Sequence, residues 1–206
     1  MEPSLSAIPI EWGVATRSLA AGAPSGDGYL VKPVPRGMLI AVVDGLGHGP
    51  QAAAASETAL ATLERHAAEP PAVLLGRCHE NLRPTRGAVL SLARIDESAR
   101  TLTWLGVGNV EGVLLRADRA ANPPLERLAP RPGVLGRQLP ALGSATLPFK
   151  AGDTLILATD GIPAGFEDHL TVSPPRRLAD DILALHGSST DDALVLVACL
   201  RGGLAP

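Results

Sequence analysis

Acidic residues close or open apolar runs at three places in this chain: Leu39-Ile-Ala-Val-Val-Asp44-Gly45, Leu155-Ile-Leu-Ala-Thr-Asp160-Gly161 and Asp191-Asp192-Ala-Leu-Val-Leu-Val. Asp27, in Ser25-Gly26-Asp27-Gly28, is a further candidate of the same kind. Aspartate is depleted in strands and rarely buried unpaired, so setting it against Val and Leu needs a reason. If the strands lie side by side, these carboxylates converge on one rim. Such a cluster repels itself unless cations sit among it. Oxygen donors without cysteine, and without a second histidine at ligand spacing, select hard ions such as Mg²⁺ or Mn²⁺. The plainer alternative is that each Asp caps its own turn, and the repetition with glycine partners argues against it.

The stretch Val42-Val-Asp44-Gly45-Leu-Gly47-His48-Gly49 concentrates the signal. Its glycines break the backbone after a buried strand and leave room for a ligand to approach the main chain. His48, at a helix entry, can orient a phosphate or donate a proton; the alternative is a solvated side chain. Rival chemistries fit less well. Pro50 sits where a dinucleotide fingerprint needs its third glycine, and Glu64, the acidic residue about twenty positions on, falls inside a helix. There is no phosphate loop with Gly-Lys-Ser/Thr, and neither Ser91 nor Ser144 lies in a nucleophile elbow. His66, His79, His169 and His186 lack ligand spacing and read as surface residues, while Arg86 is either simply exposed or faces an anion.

The elements that must position these groups follow from pattern. Strands are expected over Ile8 to Arg17, Tyr29 to Lys32 and Met38 to Val43, the last two as a hairpin turning at Pro33 to Gly37. Helices are expected over Pro50 to Ala68 and Ala72 to Leu82, with alanine favouring the first. Strands then follow over Gly87 to Ile95, Thr101 to Val107 and Val110 to Arg116, the last pair joined by a Gly108-Asn109 hairpin turn. Asn122 to Pro140 reads as a loop with short strand pieces. A strand over Thr154 to Thr159, a helix over Pro174 to His186 and a strand over Ala193 to Leu200 complete the chain. Strands and helical blocks do not alternate strictly, so an α+β fold with antiparallel sheets is expected.

The 206 residues suffice for one domain, 1–206, with a substantial core. Few aromatics (two Trp, two Phe, one Tyr) and a formal charge of -3 give no basis for nucleic-acid binding. Lone Cys78 and Cys199 suit a reducing compartment, and no apolar stretch is long enough to span a bilayer. A cytoplasmic protein without a membrane partner is expected.

Taken in order, Ser-Gly-Asp27, Asp44-Gly45-Leu-Gly-His-Gly, Gly108-Asn109, Thr159-Asp160-Gly161 and Asp191-Asp192-Ala resemble the PPM-type, metal-dependent serine/threonine phosphatases. The likeness is to their SpoIIE-like branch. Gly106-Val-Gly-Asn-Val-Glu and Arg131-Pro-Gly-Val-Leu-Gly resemble its stand-alone RsbX-type members, which act in stressosome signalling. The resemblance implies an αββα sandwich, two antiparallel sheets flanked by helices, with a metal site at one end. It implies two Mn²⁺ or Mg²⁺ ions, with Asp44 bridging them and the Gly45 carbonyl as a further ligand. Asp160 and Asp191 would hold one ion, and Asp27 would support the other. Asp44, Asp160 and His48 are the catalytic candidates, and Asp191 fits the ligand position better than Asp192. Hydrolysis would use metal-activated water without a phosphoenzyme, on phosphorylated STAS-domain signalling proteins. Two positions depart from the eukaryotic pattern: Gly22 replaces an arginine that grips phosphate, and Leu46 replaces a histidine, leaving His48 displaced by two. These departures motivate two rival expectations, a weakly active or inactive binding module that sequesters a partner and, ranked last, a hydrolase of small phosphoesters.

Overall fold

The computed structural model describes residues 10–201 apart from 20, 21, 23, 119, 171 and 172. The expected first residues of the opening strand, Ile8 and Pro9, lie outside the described residues. So does the side chain of His169.

The longest apolar runs are strands covered on both faces. In β3 (Gly37–Gly45), Met38, Ile40 and Val42 enter one core layer while Leu39, Ala41 and Val43 enter another. In β10 (Ala193–Leu200), Leu194, Leu196 and Ala198 join the first layer, and Ala193, Val195 and Val197 a third. Side chains alternate across a strand, so a strand with no solvent face needs apolar residues at every position.

Two five-stranded antiparallel sheets result. One runs β1 (Ile10–Arg17), β10, β9 (Thr154–Ala158), β6 (Glu111–Leu115), β7 (Leu125–Leu128). The other runs β2 (Asp27–Val34), β3, β4 (Ala88–Asp96), β5 (Thr101–Val107), β8 (Ala145–Pro148). Ile40, Val42, Leu155, Leu157, Leu194 and Leu196 fill the layer between them. Helices α1 (Pro50–Arg65) and α2 (Pro71–Leu82) cover the second sheet through Ala55, Ala59, Leu63, Leu74, Leu75 and Leu82. Helix α3 (Pro175–His186) covers the first through Leu178, Ala179 and Ile182, with Phe166 from a short 3₁₀ turn beside it. The expected αββα sandwich is the architecture observed. Each helix carries proline in its first turn, where the missing N–H has no intrahelical acceptor to lose.

Several local expectations give way. The Gly108-Asn109 turn does not close a hairpin: β5 and β6 belong to different sheets, and the turn carries the chain from one to the other. Gly108 has φ 104, and a Cβ there would stand 2.1 Å from Val89 Cγ1, so glycine is required by the crossing. Local turn chemistry announces the reversal, but which sheet receives the next strand depends on distant partners. Pro33 continues β2 instead of turning, which an edge strand tolerates because its outward N–H is not needed. The pattern gave no sign of β8, whose Thr146 and Pro148 are exposed. His79 is buried, not superficial, and its Nδ1 accepts a hydrogen bond from the Gly136 N–H at 3.1 Å. Among the described residues, no helix is long and apolar enough to cross a membrane.

Candidate metal centre

Strand register brings the first two carboxylates together. Asp27 opens β2 and Asp44 lies near the end of β3, and the two are direct cross-strand partners. Asp44 shares the face of Ile40 and Val42, so it continues the inter-sheet layer to its end. The other sheet supplies Asp160, just after β9, and Asp191, two residues before β10. An open cleft of about 550 Å³ is lined by Asp44, Asp160 and Asp191, together with Leu46, Gly47, His48 and Asn109. Asp44, Asp160 and Asp191 therefore converge, with Asp27 beside Asp44 and Gly45 next to it outside the lining, though not on one sheet edge as the pattern suggested. They come from the two sheets facing each other across the sandwich.

Neighbouring groups fix their orientation. Asn109 Nδ2 donates to Asp160 Oδ2 at 2.7 Å. Thr159 Oγ1 donates to Asp27 Oδ2 at 2.8 Å and accepts from the Leu194 N–H at 2.9 Å, joining Asp27 to the opposite sheet. Asp192 is buried, and its two oxygens accept the N–H groups of Leu19 and Gly26, each at 2.7 Å. With both oxygens engaged in holding the segment before Asp27, Asp192 is the structural member of the Asp191-Asp192 pair. Gly45 is held against α1, where a Cβ would lie 2.0 Å from the Ala52 carbonyl oxygen. Gly161 packs as closely on the Asp192 carbonyl oxygen, again at 2.0 Å from a notional Cβ. These two glycines let helix and loop approach the carboxylates.

The electrostatics are those of an uncompensated anionic cluster. Burial, then the charge of Asp27 and of the other aspartates, pushes Asp44 up to about 8. Burial, opposed by the Thr159 hydrogen bond and reinforced by Asp192, Asp160 and Asp191, raises Asp27 to about 7. Asp160 is also raised, by burial and then by Asp191, with Asn109 pulling the other way. Among the described residues, no lysine or arginine lines the cleft. Among the described residues, no three acidic, histidine or cysteine side chains stand close enough around one point to hold an ion as placed. Asp27 and Asp160 are instead turned to Thr159 and Asn109. The donor set nevertheless fits a hard divalent cation: oxygen ligands only, partly withdrawn from water, with no cationic side chain to balance them.

His48 lines the cleft beside Gly47. Gly22 is exposed, and a Cβ there would meet nothing within 4 Å. The sequence reading missed the orienting roles of Asn109, Thr159 and Asp192. All three lay inside motifs it quoted, but the partners they bind are 51, 132 and up to 173 positions away. Arg86, read from the sequence as either simply exposed or facing an anion, is exposed, and its guanidinium stands against Gly47.

Residues 35–201 match the family model of Stage II sporulation protein E (SpoIIE). The chain belongs to the SpoIIE family. The family match, with a phosphoserine phosphatase among the curated relatives, puts the chain among the protein phosphatases. Among curated proteins it is 27% identical to "Phosphoserine phosphatase RsbX" of Bacillus subtilis (strain 168) over 173 residues, 84% of this chain and 85% of that protein. A structure described as "The bacterial stressosome: a modular system that has been adapted to control secondary messenger signaling" is 32% identical. It superposes with a TM-score of 0.82 over 92% of this chain and 98% of that one. The fold is also that of RsbX in complex with magnesium (TM-score 0.83, 24% identity, covering 93% and 96%). It is shared as well by the PP2C phosphatase domain of SpoIIE from Bacillus subtilis (TM-score 0.76, 22% identity, covering 92% and 63%).

Proposed function

We propose that this SpoIIE-family phosphatase removes phosphate from phosphoserine or phosphothreonine of STAS-domain proteins in stress signalling, with two Mn²⁺ or Mg²⁺ ions. The whole chain, 1–206, acts as one phosphatase domain, and it works in the cytoplasm. The observation that carries the reading is the single cleft lined by Asp44, Asp160 and Asp191 from two facing sheets. Kinship with RsbX, named a phosphoserine phosphatase, and with a stressosome-associated chain supports the substrate class.

Asp44, Asp160 and Asp191 would hold the ions, the Gly45 carbonyl would add a ligand, and Asp27 would support from the second position. Bound divalent ions supply charge neutralisation at the phosphoryl oxygens and lower the pKa of water. The chain's own groups do the rest. Asn109 and Thr159 each hold one oxygen, of Asp160 and Asp27 respectively, and Asp192 fixes the loop that carries Asp27. His48, on the cleft wall, would hold a proton for the departing seryl or threonyl oxygen.

The decisive experiment is Asp160→Asn, assayed as Mn²⁺-dependent phosphate release from a phosphorylated STAS-domain protein. A fall of about a hundredfold or more is expected, because ligand loss is at least as severe as loss of an outer-shell partner. Unchanged turnover would sink the assignment. Tight partner binding without any Mn²⁺-stimulated turnover by the wild type would favour the sequestering module.

A further inference from the structure

Among the described residues the cleft presents several carboxylates and no cationic side chain of its own, yet a phosphatase must orient a phosphoryl dianion there. One arginine stands immediately outside the lining. Arg86 is exposed, and its Nη1 is 2.7 Å from where a Cβ on Gly47 would lie. Gly47 itself lines the cleft between Leu46 and His48 and has φ 87. A side chain at position 47 would displace the guanidinium, so this bare glycine is what lets Arg86 reach the wall.

The backbone beneath Arg86 is clamped. Thr85 Oγ1 donates to the Leu82 carbonyl at 2.7 Å and accepts from the Gly87 N–H at 3.0 Å. The Leu46 N–H donates to the Gly87 carbonyl at 3.0 Å, tying this loop to the glycine-rich one. Arg137 donates to the carbonyls of Arg86 and Thr85. The loop is held, while the guanidinium it carries has no hydrogen-bond or ion-pair partner among the described residues. Its neighbours contrast with it: Arg83 pairs with Glu80 and Arg77 with Glu69.

We propose that Arg86 binds the phosphoryl oxygens of the substrate, supplying from the Thr85-Arg86-Gly87 loop the cation that the cleft wall lacks. This rests on the phosphatase reading above. A planar guanidinium offers paired N–H donors matched to phosphate oxygens, and charge-assisted bonds of this kind are the strong ones.

The test uses the full chain loaded with Mn²⁺ and two probes: inorganic phosphate binding by calorimetry, and hydrolysis of p-nitrophenyl phosphate. Arg86→Ala is expected to weaken phosphate binding and raise KM roughly tenfold or more, with Mn²⁺ affinity and melting temperature unchanged. Arg86→Lys should fall between wild type and alanine, because an ammonium keeps the charge but not the fork. Arg83→Ala should match wild type. Phosphate binding by Arg86→Ala equal to wild type would overturn the proposal, as would a loss that tracks Mn²⁺ affinity or unfolding, or a wild type that binds no phosphate. Phosphate binding that needs Arg86 in a wild type without Mn²⁺-dependent hydrolysis would instead remove the phosphatase reading and leave the anion grip standing.

Discussion

Asp44 and Asp27 carry the strongest pH consequence in the molecule. Burial first, and then their acidic neighbours, raise them to about 8 and about 7 in the metal-free fold. In an unfolded chain both return to roughly 4. Groups raised in this way stabilise the fold fully below their unfolded value, and that contribution is lost as pH rises through the folded value. The metal-free protein should therefore lose melting temperature between about pH 4 and 8, where the folded state holds protons that the unfolded state has released. Mn²⁺ needs the same carboxylates deprotonated, so the rise in melting temperature that it produces should be larger at pH 8 than at pH 6. Melting curves with chelator and with Mn²⁺ across this range check both statements. A metal-free melting temperature that climbs from pH 5 to pH 8 would contradict the buried anionic cluster. Cys78 behaves differently: burial pushes its thiol up to about 12, which leaves it an inert core side chain.

At the scale of elements, the centre depends on how closely α1 approaches the end of β3. Gly45 is the contact point, with its notional Cβ 2.0 Å from the Ala52 carbonyl oxygen. Gly45→Ala forces helix and strand apart, and overpacking of this kind costs about 1–3 kcal/mol. Urea unfolding should show that loss together with weaker Mn²⁺ binding. Gly76 provides the contrast within α2, where a Cβ would meet nothing within 4 Å. Gly76→Ala should stabilise by about 0.5–1 kcal/mol, because alanine loses less backbone freedom in a helix. Equal effects at the two positions would contradict the packing described. The same scale shows why Asp192 differs from Asp191. Both begin the approach to β10, but Asp192 turns inward to the Leu19 and Gly26 N–H groups, while Asp191 lines the cleft.

In the whole molecule, the layer between the sheets holds the two halves of the centre in register. Leu157 is fully buried there, and Leu157→Ala should cost about 2–5 kcal/mol and weaken Mn²⁺ binding as the sheets loosen. Leu185, 79% exposed on α3, provides the control; Leu185→Ala should stay within about 0.5 kcal/mol of wild type. Denaturant titration of both variants separates core from surface. Much of this organisation is legible along the chain. Uninterrupted apolar runs at β3, β9 and β10 announce strands covered on both faces, and proline followed by periodic apolar residues announces each helix. Aspartate beside glycine at the strand ends singles out Asp27, Asp44 and Asp160, and the acidic pair before the last apolar run singles out Asp191, because a carboxylate against buried Val and Leu has no cheap structural explanation. These are local properties of backbone and side chain, which is why sequence alone determined them. Only the tertiary structure decided that Gly108-Asn109 crosses between sheets, that His79 is buried, and that Asn109, Thr159 and Asp192 orient the carboxylates. It also decided that Arg86 stands against Gly47. Each of these depends on contacts between residues far apart in sequence, chosen by how the two sheets pack, and no local pattern encodes that choice.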